Sequence, residues 1–71
     1  MHTYEECLRV VRELPEFKQV YACVEDAGNY YFMIRIAADN PFYQVSKKNL
    51  SYTVVPGLQL QKKKDKLKRV K

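Results

Sequence analysis

The sequence predicts an α+β domain, with one N-terminal helix packed on an antiparallel sheet of three to five strands (α-β-β-β-β) and a basic, mobile C-terminal tail. Three observations predict it. Apolar residues at Tyr4, Cys7, Leu8, Val11 and Leu14 recur at three- and four-residue steps, the stripe of an amphipathic helix. Short runs rich in β-branched and aromatic residues follow, separated by Gly, Pro and Asn turn signals. The charge is divided unevenly: residues 1–46 carry seven acidic and four basic side chains, whereas residues 47–71 carry nine basic ones against Asp65 alone.

The helix is expected over about residues 3–14. Thr3-Tyr4-Glu5-Glu6 matches a capping box, in which the Thr3 hydroxyl accepts from the Glu6 N–H and the Glu6 carboxylate accepts from the Thr3 N–H. Glu5 and Glu6 also suit the positive end of the helix dipole. Pro15 ends the helix, because the residue before a proline avoids the α region. Phe17 is placed to pin the loop that follows.

Strand one is expected over Lys18–Glu25, where Val20, Ala22 and Val24 alternate with Tyr21, Cys23 and Glu25. Asp26-Ala27-Gly28-Asn29 reads as a tight turn into the central strand. That strand, Asn29–Ala38, is the longest apolar run in the chain. It should place Tyr30, Phe32, Ile34 and Ile36 on one face and Tyr31, Met33 and Arg35 on the other. Arg35 then needs an acid, either Glu25 or one on the helix. Asp39-Asn40-Pro41 breaks the run. Phe42–Ser46 and Leu50–Val55 read as a second hairpin around Lys47-Lys48-Asn49, with Asn49 taking the left-handed position, Phe42 opposite Val54 and Tyr43 opposite Thr53. Leu58–Gln61 suits a short edge strand. Residues 1–61 therefore form one small domain. Residues 62–71 hold seven lysines and arginines among Asp65, Leu67 and Val70, and are expected to be mobile.

Composition narrows the function. At 71 residues the chain is one domain of modest core. No stretch approaches the roughly 18 apolar residues of a membrane span, so membrane insertion is not expected. Residues 1–15 carry three glutamates and two arginines, unlike a secretory leader. Two cysteines, Cys7 and Cys23, are too few for a disulfide framework and read as buried thiols in a reducing, cytoplasmic setting. His2 is the only histidine, and its spacing to the cysteines matches no metal site, so no metal and no cofactor are expected. With only Gly28 and Gly57, there is no glycine-rich phosphate loop. No nucleophile, base and orienting group can be picked out, so no catalytic residue is assigned and the chain is read as a non-enzymatic binding module.

Two ligand classes follow from the residues. Clustered cations displace counterions from a phosphate backbone, which predicts non-specific, salt-sensitive nucleic-acid binding through Lys47, Lys48, Lys62, Lys63, Lys64, Lys66, Lys68 and Arg69. The alternative is a protein partner or a homodimer. A single helix covers only one sheet face, leaving Tyr31, Met33 and Tyr43 as an open interface, with the tail merely solubilising.

Overall fold

A computed structural model describes all residues, Met1–Lys71. The chain runs α1 (Tyr4–Arg12), β1 (Ala22–Glu25), β2 (Asn29–Met33), β3 (Phe42–Ser46), β4 (Tyr52–Val55), α2 (Gly57–Gln61), a 3-10 turn (Lys64–Lys66) and β5 (Lys68–Arg69). The five strands form one antiparallel sheet in the order β4-β3-β2-β1-β5, with β2 at its centre. The expected fold class is therefore the observed one, although the fifth strand lies at Lys68–Arg69 and not at Leu58–Gln61.

The capping box forms as the sequence requires. The Thr3 N–H donates to Glu6 Oε1 at 2.9 Å and the Glu6 N–H donates to Thr3 Oγ1 at 3.3 Å. The helix ends at Arg12, two residues earlier than expected, and Glu13 caps it. Its Cys7, Leu8 and Val11 are buried against Cys23, Phe32, Tyr43 and Val45 of the sheet and Ile34 just past β2. Tyr4 extends this core through ring contacts with Tyr30 at 5.6 Å and Phe32 at 5.7 Å.

Both early strands are shorter than their apolar runs. Strand one begins at Ala22 rather than Lys18, and strand two ends at Met33 rather than Ala38. Tyr30, Phe32 and Ile34 do point to the helix side, but Ile36 is exposed because the chain has already left the sheet. The second hairpin is slipped by one residue from the expected register: Phe42 pairs with Val55, Tyr43 with Val54, Gln44 with Thr53 and Val45 with Tyr52. The cause is the turn. Leu50, not Asn49, takes the left-handed conformation at φ 64°, and the Leu50 N–H donates to the Ser46 C=O at 2.9 Å. Ser46 Oγ accepts from the Lys48 and Asn49 amides, and Asn49 Oδ1 accepts from the Ser51 N–H, so side chains stabilise a four-residue loop. A one-residue slip exchanges faces. Tyr43 and Val45 enter the helix-side core because β3 pairs Tyr43 with Phe32 and Val45 with Tyr30, and the slip sets Tyr52 and Val54 beside them.

The segment after Pro56 departs most from expectation. Leu58–Gln61 is helical rather than extended, and residues 62–71 are folded onto the domain rather than free. Together, residues 57–71 form a strap that crosses the second face of the sheet and returns to pair with β1, Val24 with Arg69 and Glu25 with Lys68. Gly57 permits the crossing to start. A Cβ there would stand 2.8 Å from the Asn40 carbonyl oxygen, while the Gly57 N–H donates to the Asp39 C=O at 3.1 Å. Leu60 then packs on Tyr31 and Val55, with Val24, Phe42 and Leu67 around them, to make a second, smaller core.

Candidate functional site

The strap determines what the second face of the sheet offers. It is anchored at one point by a buried polar group. Tyr31 is fully buried beneath it, and its hydroxyl donates to Asp26 Oδ2 at 2.7 Å while Lys63 Nζ donates to that hydroxyl at 3.2 Å. Asp26 Oδ1 in turn accepts from the Gly28 and Asn29 amides at 2.9 Å, which makes the tight turn a rigid base for the pair. Burial opposes ionisation of Asp26, but the bonds from Tyr31, Gly28 and Asn29 outweigh it and hold the carboxyl below its ordinary value. Burial, and then the bond to Asp26, push the Tyr31 phenol up.

A second buried polar contact, made without the strap, centres on Lys47. It is only 9% exposed, its Nζ lies 2.8 Å from Glu25 Oε1 and 2.7 Å from the Asp26 carbonyl oxygen, and it sits 4.5 Å from the centre of the Tyr30 ring. Burial would lower its pKa, yet the bond to Glu25 outweighs burial and raises it. The second buried phenol lies on the helix side, where the Tyr43 hydroxyl donates to Glu16 Oε2 at 2.8 Å and accepts from Arg35 Nε at 3.3 Å. Arg35 thus serves Tyr43 beside Glu16, not Glu25, which Lys47 has already taken. The Tyr43 bond holds Glu16 below the ordinary carboxylate range.

These contacts sort the expected site residues. Lys47 is corrected from a phosphate ligand to a structural cation, since ion pairing and burial take it out of solvent. Lys63 is half-buried and committed to Tyr31, with its Nζ 5.3 Å from that ring's centre. Lys48, Lys62, Lys64, Lys66, Lys68 and Arg69 are exposed, as is Lys71. Tyr31 and Tyr43 are corrected from an open interface to core residues on opposite faces. Met33 alone of the three lines a surface feature, an open groove.

That groove has a volume of about 1020 Å³ and lies between the sheet and the strap. Val24, Met33, Phe42 and Leu67 supply its apolar floor, Leu58 its exposed lip, and Lys62 and Lys64 its charged rim. A smaller cleft of about 330 Å³ gathers Lys47, Lys66 and Lys68 around Glu25 and Asp26, so part of the strap's basicity faces the acidic turn.

Sequence reasoning missed the groove because it required α2 to lie across the sheet. The pairing of Pro56-Gly57 with two leucines two residues apart was the only trace of it in the sequence.

Both thiols are buried and unpaired, and burial, with Glu25 next in weight, pushes Cys23 up to about 12. No three His, Cys, Asp or Glu side chains are grouped to hold a metal ion, and no helix is long and apolar enough to cross a membrane. No protein-family model, curated protein or solved structure matches the chain.

Proposed function

We propose that the chain is a non-enzymatic module that binds a polyanion, with a nucleic-acid phosphate backbone as the ligand class, through the outer surface of its strap. The observation that carries this reading is the layering of charge. The strap holds seven basic residues and Asp65, six of the seven exposed, spread over the sheet face opposite α1 and the β5 edge beside β1. The α1 side, residues 1–17, holds four glutamates and two arginines. A like-charged layer with few local partners concentrates phosphates and releases their counterions on contact. No tyrosine on the strap side is free to stack on bases, since Tyr31 is buried. The binding is therefore sequence-blind and salt-sensitive. The two buried thiols fit a reducing compartment such as the cytoplasm.

Removing the segment after Gln61 would also remove β5 and Leu67, so point substitution is the clean test. Lys62, Lys64 and Lys68 are exposed, and their side chains make no hydrogen bond or ion pair within the chain. Their triple change to glutamine should weaken binding to a labelled oligonucleotide, read by fluorescence anisotropy, about tenfold or more. It should also flatten the log–log salt dependence by about 3, near 0.9 per lost phosphate contact. Equal affinity and equal salt slope for both proteins would overturn the reading.

A second reading, a protein-interaction module, is favoured by the groove. Leu58 is 69% exposed at its lip, beside an apolar floor containing the adaptable Met33. Leu58→Ser should leave oligonucleotide binding unchanged and abolish only an association that uses the groove.

A further inference from the structure

We infer that the chain self-associates through the free edge of β4, as an antiparallel pair of β4 strands centred on Thr53. The two edges of the sheet differ sharply. The β5 edge is two residues long and both are cations, Lys68 and Arg69, which is how natural sheets discourage edge pairing. The β4 edge, Tyr52-Thr53-Val54-Val55, has no charge, no bulge and no proline within it, and its first three residues are exposed.

The backbone of this edge is oriented for pairing. The Ser46 N–H donates to the Ser51 C=O at 2.9 Å, which fixes the phase of the hairpin. Alternation along an antiparallel ladder then turns the N–H and C=O groups of Thr53 and Val55 toward β3, and those of Tyr52 and Val54 outward. Tyr52 and Val54 are also the residues whose side chains lie exposed, each 46%, on the helix side of the sheet.

A second copy satisfies both sets of groups at once. With Thr53 opposite Thr53 across a two-fold axis, Tyr52 of each copy stands opposite Val54 of the other. The four outward backbone groups of each strand then pair with their counterparts. The side chains form two aromatic–β-branched cross-strand contacts on one face and a Thr–Thr contact on the other, both favourable pairings. The same arrangement brings the hairpin end of one copy, with the exposed Lys48, to the Pro56-Gly57 end of the other, where Asp39 bonds to Gly57. The β5 edges stay clear of the seam. They lie four strand spacings of about 4.8 Å away, roughly two Debye lengths at physiological salt. A seam of four residues per copy is small, so the association is weak and reversible.

Sedimentation velocity of the full chain from about ten micromolar to one millimolar tests this, with amide hydrogen exchange at both extremes. The expected result is an average mass that rises from monomer toward dimer, with exchange at the Tyr52 and Val54 amides slowing several-fold as concentration rises. Val54→Lys should hold the chain monomeric throughout, and Val54→Pro, which removes an outward N–H without touching the β3 ladder, should do the same. A mass that stays monomeric at one millimolar overturns the proposal. So does a dimer that survives both substitutions, or one whose exchange protection falls on the groove residues instead. If a variant misfolds, the exchange pattern of the unaltered chain decides.

Discussion

The two faces of the sheet are covered by segments of similar length that work in different ways. On one face a capped nine-residue helix places Cys7, Leu8 and Val11 onto four buried sheet residues and Ile34 just past β2, so eight side chains share one continuous core. On the other face a five-residue helix and a 3-10 turn bury only Tyr31, Val55 and Leu60, and leave an open groove beside them. The first cover is held by area. The second is held by a few contacts, one buried polar anchor, Asp26–Tyr31–Lys63, and the two-residue pairing of β5 with β1. Apolar area is non-directional and tolerates small adjustments, whereas a buried polar anchor stabilises only with its full set of partners. The difference predicts that the strap loosens without unfolding the helix face, while the reverse does not hold.

Substitutions that act on one face at a time break or sharpen this contrast. Phe32 is fully buried at the middle of the helix-side core, and Phe32→Ala should cost about 3–5 kcal/mol in chemical denaturation, enough to threaten folding of a domain this size. A cost no larger than that of the matching change beneath the strap would mean the two faces are equivalent. Leu60→Ala, the matching change beneath the strap, should cost about 2 kcal/mol, because the strap can settle into the space left. It should also raise amide exchange in residues 57–71 well before β2 and β3 respond.

The same deletion of a phenol oxygen should have opposite signs on the two faces. Tyr31→Phe leaves Asp26 Oδ2 and Lys63 without their partner and should cost about 1–2 kcal/mol in the same denaturation series. Tyr4→Phe should be neutral or stabilising by up to about 1 kcal/mol, because the Tyr4 hydroxyl is buried with no hydrogen-bond partner. Equal effects would show that the Tyr31 anchor contributes nothing.

The anchors also set the pH window. Asp26, Glu16 and Glu6 have folded pKa values below their unfolded ones, so their contribution is present above about pH 4 and is lost as pH falls through the folded values. Tyr31, Tyr43 and Lys47 have raised values, so theirs is complete below about pH 10 and is lost as pH rises further. Burial raises the Cys7 and Cys23 thiols too, so thermal melts should show a plateau from about pH 4 to about pH 9, with Tyr31→Phe reducing the further loss above about pH 10.

The helix face was legible because its signals are local. The stripe from Tyr4 to Val11 and the Thr3/Glu6 box lie within one helix and need no knowledge of distant residues. The central place of β2 followed from its run of large apolar residues with turns on either side. The hairpin register was misread because a left-handed Leu50 is uncommon, and the side-chain bonds of Ser46 and Asn49 that support it act through the turn's geometry. The site was misread because lysine was taken as a sign of exposure. Lys47 and Lys63 are drawn inward by Glu25 and Tyr31, residues 22 and 32 positions away along the chain.

By itself the sequence determined the fold class, the helix with its cap, the strand order of the two hairpins and the surplus of positive charge at the C-terminal end. Periodicity, capping and turn chemistry act over a few residues, so the chain states them directly. Only the tertiary structure decided that the basic segment is a strap rather than a free tail, that Tyr31 and Tyr43 are core, and that one edge of the sheet is guarded by cations while the other is bare. Each of these depends on which unpaired face or edge is available once β1 to β4 have assembled. The lysine-rich segment folds because an uncovered sheet face offers Leu60 and Leu67 a place to bury, and Asp26 and Tyr31 a partner for its charge.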